Sequence, residues 1–367
     1  MVIVFVFFVI VWGLCSCTPY ENKNPIRNVQ SGDYHFILSG EKIFSPDENT
    51  PTDWLNTFIY DMDSVSFALY NSYLGELNLF SFNDGHLVQK NKYPLAGMDG
   101  ITYNGYDMYV QDYDSATFYK INISSVIDTI IPWKTSKLRI PPSRVNIFNS
   151  VYELGNSIYF VTYTMGEFDD NKRFVLLEYN KENDSICYHV NYPTIYSKSN
   201  WGGALYRQVY TCFNPIQNSI VFSFPVSHSI FVFDCKSKKT KEYYCGSTYI
   251  NGIKSFSNDK DKQLDAQGSY SHFMINNSYG PILYDKYRNV YYRIFEVPYK
   301  NHNEDYFKKI GIITLDDRFR IIGEQMFGAF HGTTMLVVPD GLLVPKIAEY
   351  PVLDSPLSFY LYKISNK

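Results

Sequence analysis

Five side chains lie where they could meet and bind a ligand. Each is found just ahead of one of the apolar segments that recur along the chain, and four of the five carry a guanidinium or an imidazole. They are Arg144, Trp201, Arg207, His272 and His331. If the segments that follow surround one axis, these groups converge at one mouth of a central channel, and convergent polar groups in a concave site predict binding. The alternative is that they hydrogen-bond backbone carbonyls around the channel and bind only water.

Known catalytic motifs are absent from the sequence. It contains no nucleophile elbow, P-loop, dinucleotide fingerprint or HExxH motif. An enzyme acting on a polysaccharide or a small ester would use His272, His331 and an arginine at the channel mouth. A glycosidase would also need two carboxylates at a defined separation, and the sequence singles out no such pair. A non-enzymatic binding protein is therefore the favoured prediction.

The sequence predicts neither a metal site nor a cofactor. The acidic run Ser257–Asp265 lacks the glycine and the terminal glutamate of a calcium loop at the required offsets. The four cysteines of the main domain, Cys187, Cys212, Cys235 and Cys245, match no zinc spacing. We expect buried free thiols, with one disulfide as the alternative.

The elements that must position the five side chains are short β-hairpins. Alternating apolar segments with turn residues between them recur at residues 100–110, 143–163, 208–224, 281–297 and 333–347. Asn104-Gly105 and Pro339-Asp340-Gly341 are strong turn signals, because Asn, Asp and Gly tolerate positive φ. No long apolar pattern of helical period is present after the N-terminus. The chain is therefore predicted to be all-β.

Each hairpin is followed by a polar break and a second pair of strands, which makes a unit of four strands. Six second-strand markers lie near Ser66, Asp107, Ser157, Ser219, Asn289 and Gly341, giving about 55 residues per unit. Four antiparallel strands form one blade of a β-propeller, so we predict six blades. Seven blades, if residues 33–60 contain a complete one, and a β-sandwich are the alternatives.

The segment Tyr34–Leu38 reads as a lone strand. We predict that it completes the last blade beside Phe359–Ile364 and thereby joins the two ends of the domain. Closure of the ring removes exposed strand edges, which otherwise promote aggregation.

Composition fits this architecture and excludes one class of partner. The 367 residues include 34 Tyr and 27 Phe, and aromatic residues suit pleated, half-buried surfaces. An aromatic ligand surface is the alternative explanation of the tyrosine excess. The net charge of -4 gives no basic surplus for nucleic acid.

The N-terminus predicts export and a lipid anchor. Residues Met1–Trp12 are almost wholly apolar but too short to span a bilayer comfortably. The following Leu14-Cys15-Ser16-Cys17 resembles a bacterial lipobox, which implies a signal peptide over residues 1–16 and acylation of Cys17. An ordinary cleaved signal or an N-terminal membrane helix is the alternative. Residues 17–30 are polar and are predicted to be a flexible tether, and residues 31–367 form a single propeller domain.

The lipobox, the length and the Tyr-rich hairpins together resemble a family of Bacteroidetes lipoproteins that carry a domain of unknown function predicted as a six-bladed β-propeller. The resemblance implies a cell-envelope protein, held on the outer membrane by its lipid. It gives no activity and no site residues that could be carried over to this chain. We expect a propeller that binds a glycan, a peptide or an envelope protein through one face. A role as an accessory lipoprotein docked on an outer-membrane transporter is a further alternative, which an exposed apolar patch would favour.

Overall fold

A computed structural model provides the structure of the chain. It describes residues 19–25, 34–50, 54–61, 65–95, 97–98, 100–104, 108–112, 117–121, 127–130, 140, 142–162, 173–301, 304–328, 331–347 and 356–366. The predicted signal peptide and Cys17 lie outside these residues.

The fold contains six four-stranded antiparallel sheets. Five of them are built from strands that follow one another in the chain, and the sixth combines the last three strands with β2, from the start of the domain. Blade 1 contains β3 (Thr57–Tyr60), β4 (Ser66–Asn71), β5 (Glu76–Ser81) and β6 (Leu87–Lys92); blade 2 contains β7 (Gly100–Tyr103), β8 (Met108–Asp112), β9 (Thr117–Ile121) and β10 (Ile127–Ile130); blade 3 contains β11 (Tyr152–Leu154), β12 (Ser157–Val161), β13 (Phe174–Asn180) and β14 (Ser185–Asn191).

The second half of the chain repeats this plan. Blade 4 contains β15 (Tyr210–Asn214), β16 (Ser219–Ser223), β17 (Ser229–Asp234) and β18 (Lys239–Tyr244); blade 5 contains β20 (Ser278–Asp285), β21 (Val290–Lys300), β22 (Tyr306–Leu315) and β23 (Ile321–Met326); blade 6 contains β24 (Leu336–Val338), β25 (Gly341–Pro345), β26 (Leu357–Asn366) and β2 (Tyr34–Phe44). A separate pair consists of β1 (Glu21–Lys23) and β19 (Gly252–Lys254), and two α-helices are described, α1 (Ala204–Arg207) and α2 (Ala266–Met274), with 3₁₀ turns at Trp54–Asn56 and Thr194–Ser197.

The six-bladed β-propeller prediction is confirmed. The predicted closure is also present, because β2 pairs with β26 in a register that places Phe36 opposite Ile364. Residues 33–60 do not add a seventh blade. Their strands β2 and β3 belong to blades 6 and 1.

Burial follows from the position of a strand within its blade. The second strands β4, β16 and β25 are buried along their whole length, because each blade is covered on both faces by its neighbours. The outermost strands β6 and β18 are mostly exposed and carry lysines, which protect sheet edges. Position in the blade therefore explains why period-two alternation is visible in some strands and lost in others.

The two faces of the propeller have different origins. The loops that join one blade to the next, and those that join second and third strands, form what we call the loop face. The turns that join the innermost strand to the second strand form the opposite side, which we call the hairpin face. Both α-helices lie in loops that join blades, ahead of β15 and β20, and so belong to the loop face.

The predicted flexible tether over residues 17–30 is wrong for the part that the structure describes. In residues 19–25, Glu21–Lys23 forms β1 and pairs with Lys254–Gly252 of β19. The side chain of Asn24 is buried and donates to the carbonyls of Ser247 and Ile250 at 2.7 and 3.0 Å. Composition alone missed this segment, because its polar side chains bond to loop carbonyls and do not enter an apolar core.

Candidate functional site

A cavity of about 190 Å³ occupies the central channel. The innermost strands of blades 1, 2, 4, 5 and 6 line it, and blade 3 contributes Tyr152 of β11 together with the segment just before it. Residues from turns of the hairpin face complete the lining, among them Asp61, Asn104, Pro215, Lys286 and Tyr287. All six blades therefore contribute residues to the site.

Aromatic rings form much of the wall. Phe58 packs against Tyr103 of the next blade with a centroid distance of 5.1 Å, and Tyr152 stacks on Phe213 at 5.3 Å. These contacts join blade 1 to blade 2 and blade 3 to blade 4, so the rings are held by the packing of the propeller. Aromatic faces held in this way offer flat apolar surfaces with polar hydroxyl tips.

Several polar groups of the cavity lining hydrogen-bond to other groups of the protein. The hydroxyl of Tyr152 lies 3.1 Å from that of Thr211, and the amide of Asn104 donates to the carbonyl of Val151 at 2.9 Å. Burial raises the pKa of Tyr152 and that of Cys212 well above their ordinary values. At neutral pH both groups are neutral, so the wall presents neutral polar atoms.

The rim at the hairpin face carries an ionic network. Lys286 Nζ lies 2.7 Å from one carboxylate oxygen of Asp61 and donates to the other at 2.9 Å. The hydroxyl of Tyr287 also donates to Asp61. Burial and the nearby carboxylate raise the pKa of Tyr287, which keeps this hydroxyl protonated as a donor. Lys286 and Tyr287 remain 40% and 39% exposed, so both can be reached by a ligand.

The turn that carries Lys286 and Tyr287 is fixed by its neighbour Arg288. Its guanidinium pairs with the fully buried carboxylate of Asp285 at 2.8 Å and donates to the carbonyls of Val338 and Pro339 in blade 6. These contacts hold the turn against the hairpin turn of blade 6 and fix the positions of Lys286 and Tyr287 at the rim.

The structure gathers three of the five residues predicted from sequence, away from the cavity. Trp201 is buried, and its indole donates to the carbonyl of Ile195 at 3.2 Å. Arg207 ends α1, and its carbonyl accepts a hydrogen bond from Tyr192. The His272 ring, on α2, packs between Tyr206 and Phe256, and burial lowers its pKa. All three lie in loops of the loop face, and the contact of His272 with Tyr206, the residue before Arg207, joins two of these loops.

The other two predicted residues lie elsewhere. The imidazole of His331 is held by the carbonyl of Gly328 at 3.0 Å and the hydroxyl of Tyr362 at 2.9 Å, against the ring of Tyr360. Arg144 is exposed in the segment that leads into β11. None of the five lines the central cavity. These side chains lie away from the axis because of how the loops between blades pack. The hairpin pattern in the sequence carries no information about that packing.

Asp61, Lys286 and Tyr287 were not predicted from the sequence. Lys286 and Tyr287 occupy a hairpin turn that the sequence does reveal, and Asp61 follows β3 directly. These residues could have been found from the charged and aromatic residues at the tips of the innermost hairpins. Those tips lie on the hairpin face, whereas the sequence prediction favoured the loops that lead into the innermost strands.

Within the described ranges, no three His, Cys, Asp or Glu side chains are grouped so as to hold a metal ion. The helices in the same ranges include none with the length and apolar character of a membrane span.

All four cysteines of the domain are free; three are buried, as expected, and Cys187 is exposed.

The fold and the cavity define a six-bladed β-propeller with a central-channel site. The chain belongs to the family with the domain of unknown function DUF4221, whose model matches residues 78–326. This confirms the resemblance to a family with a domain of unknown function and a six-bladed β-propeller fold.

Solved structures show the same fold. A DUF4221 member from Bacteroides vulgatus aligns with a TM-score of 0.73 at 19% identity, covering 92% of this chain and all of that one. A protein from Bacteroides fragilis aligns at 0.51 with 10% identity, over 94% of this chain and 98% of its own. No curated protein sequence matches the chain.

Proposed function

We propose that this protein is a non-enzymatic binding propeller of the cell envelope, with its ligand site in the central channel at the hairpin face. The observation that carries the proposal is the cavity itself, which all six blades line and whose rim holds the Asp61, Lys286 and Tyr287 network. A concave site with a mostly apolar wall and a few placed polar groups is the usual form of a ligand site.

The size and chemistry of the cavity limit the ligand. Its volume of about 190 Å³ is below the ~300–1,000 Å³ of sites that enclose drug-sized molecules. The cavity therefore holds one unit of a longer chain, such as a terminal sugar or one side chain of a peptide. Aromatic walls suit the apolar face of such a unit, and the rim offers both a carboxylate and an ammonium group for its polar groups.

The alternative of a polysaccharide-active enzyme gains no support from the positions of the two histidines. That alternative needed His272, His331 and an arginine to meet at one mouth of the channel. The two histidines contact separate neighbours, Tyr206 and Phe256 in one case and Tyr360 and Tyr362 in the other.

The envelope location rests on the lipobox-like sequence that ends at Cys17. In this proposal Cys17 is acylated and holds the propeller on the outer membrane, because several acyl chains on one residue give stable anchoring where a single chain is marginal.

The test is a binding screen of residues 18–367 on arrays of glycans and peptides, run beside two variants. Tyr287→Ala alters the rim at the hairpin face, and the double variant Arg207→Ala, His331→Ala alters the loop face. We expect saturable binding that is lost in the first variant and kept in the second. Loss in the second alone would place the site at the loop face, and an absence of binding to every probe would overturn the proposal.

A further inference from the structure

Contacts with loops of the propeller hold the N-terminal segment, at the first residues that the structure describes, on one face of the domain. We call residues Tyr20–Asn24 the strap. At its start, the backbone N–H of Tyr20 donates to the side chain of Asn258 at 2.9 Å, and its carbonyl accepts from Ser255 at 2.8 Å. The Tyr20 ring meets Trp201 edge-on with centroids 6.0 Å apart. The strap therefore begins on the loop face, among the loops ahead of blades 4 and 5.

Further hydrogen bonds, of which the two donated by Asn24 are buried, fix the rest of the strap. The amide of Asn22 donates to the carbonyl of Val226 at 2.6 Å, and the carbonyl of Asn22 contacts His228 Nε2 at 2.9 Å. Asn24 donates to two loop carbonyls and accepts from the hydroxyl of Tyr244 at 2.5 Å. Groups buried in this way are costly to leave without partners, so the strap is part of the folded domain.

The strap restricts where Cys17 can lie. Three residue steps separate Cys17 from Tyr20, and an extended chain spans about 3.3–3.6 Å per residue. The acylated residue can thus reach no farther than roughly 11 Å from the Tyr20 position on the loop face. A lipid at Cys17 brings this face, and not the hairpin face, to the bilayer.

The loop face also carries the exposed apolar side chains that a lipid surface requires. Near the strap these are Leu205 on α1, Tyr270 on α2, Ile275 just after α2, and Tyr249 between two carbonyl partners of Asn24. In the described turns of the hairpin face, only Ile216 and Tyr287 are large hydrophobic residues with comparable exposure. Tyr and aliphatic side chains partition into the interfacial layer of a membrane.

From these observations we infer that the loop face around the strap rests on the lipid bilayer, with Leu205, Tyr249, Tyr270 and Ile275 in the interfacial layer and the channel mouth at the hairpin face directed away from the membrane. The inference rests on the proposed acylation of Cys17 and is independent of the ligand. It assigns the strap the role of an orienting element, because a mobile tether would let the propeller turn freely.

The test uses the full chain produced in a host that acylates lipoproteins, reconstituted into phosphatidylethanolamine and phosphatidylglycerol vesicles that contain spin-labelled lipid. In a Cys187→Ser background, a bimane fluorophore is attached at Leu205→Cys on the loop face or at Ile216→Cys on the hairpin face. We expect quenching several-fold stronger at position 205. Equal quenching, stronger quenching at 216, or quenching at neither position overturns the inference, and the last result would indicate a protein partner for the patch.

A strap variant makes the test specific. Asn22→Ala with Asn24→Ala removes the side-chain bonds that hold the strap, and quenching at positions 205 and 216 should then become similar. Asn251→Ala, at an exposed neighbouring position, is the matched control and should keep the difference. Mass spectrometry of the N-terminal peptide tests the acylation of Cys17 separately from the orientation on the bilayer. An unacylated Cys17 overturns anchoring and orientation together, whereas an acylated Cys17 with equal quenching overturns the orientation alone.

Discussion

Asp61 and Lys286 belong to blades 1 and 5, which are separated in the ring by blade 6, yet their side chains form an ion pair of 2.7 Å. The pair therefore bridges the channel mouth at the hairpin face, above the turn of blade 6. The carboxylate of Asp61 is 9% exposed and the ammonium of Lys286 is 40% exposed. A contact across a closed ring stabilises the fold and shapes the rim at the same time.

The substitution Lys286→Met should lower the free energy of unfolding only slightly, by about 0.5–1 kcal/mol, because solvent screens the exposed ammonium. Urea denaturation measures this change. Lys300→Met is the control, since its ion pair with Glu304 is exposed on both sides and should change stability by less than about 0.5 kcal/mol. Equal effects of the two substitutions would mean that the bridge adds nothing to the ring.

Arg293 is a buried cation held by neutral groups. Its guanidinium donates to Ser223 Oγ and to the carbonyls of Cys245 and Ser227, and it lies 3.8 Å from the centre of the Tyr279 ring. Lysine cannot reproduce this planar set of donors. We expect Arg293→Lys to lower the free energy of unfolding by about 2–4 kcal/mol, measured by urea denaturation. Arg318→Lys, at an exposed turn position, should have almost no effect, and a similarly small loss at Arg293 would contradict this account.

His228 makes the strap sensitive to acid. Burial lowers the pKa of His228 to about 4, with nearby Arg293 acting in the same direction, while the bond to Asn22 opposes the shift. Its Nδ1 lies 2.8 Å from the hydroxyl of Tyr279. Between pH 6.5 and pH 4 the unfolded chain binds the proton more readily, so stability falls as the pH falls through this window.

The loss at His228 should reach about 3 kcal/mol at pH 4 relative to pH 7. Urea unfolding of the wild type and of His228→Gln at both pH values measures it. The variant should lack this part of the pH dependence. A wild type and a variant that lose the same stability on acidification would show that His228 is not the group responsible.

Thiol reactivity reports directly on blade packing. Burial raises the pKa of both Cys235 and Cys245 to about 12, and Cys212 is also buried, whereas Cys187 is exposed. The native form of residues 18–367 should react with a maleimide at Cys187 alone, and the denatured form at all four thiols. Peptide mapping after a short labelling pulse identifies the modified residues. Labelling of Cys235 or Cys245 in the native protein would contradict their burial within the propeller.

The sequence was informative where one residue pattern determines one local structure. The second-strand markers Ser66, Ser157, Ser219 and Gly341 coincide with the first residues of β4, β12, β16 and β25. Turn residues fix these hairpins locally, and the apolar pattern fixes which strands are covered. The closure of the ring by Tyr34–Leu38 followed because a lone strand needs a partner.

The site was less predictable, because it depends on contacts between distant turns. Nothing in the residues around Asp61 indicates that Lys286, 225 residues later, lies within bonding distance. The short helices that hold Arg207 and His272 also lack a readable pattern, since α1 has four residues and α2 has no buried side chain. Irregular loops therefore decided where the predicted cationic groups lie, and the choice between the two mouths of the channel could not be made from strand order.

Hydrogen–deuterium exchange with a bound probe tests the central claim most directly. The probe is the glycan or peptide with the highest affinity in the array screen, added at saturation to residues 18–367. The account predicts slower exchange in the segments around Asp61, Asn104 and 282–287, which line the cavity and its rim. Slower exchange confined to the loop-face segments 198–207 and 262–275 would contradict a ligand site at the hairpin face.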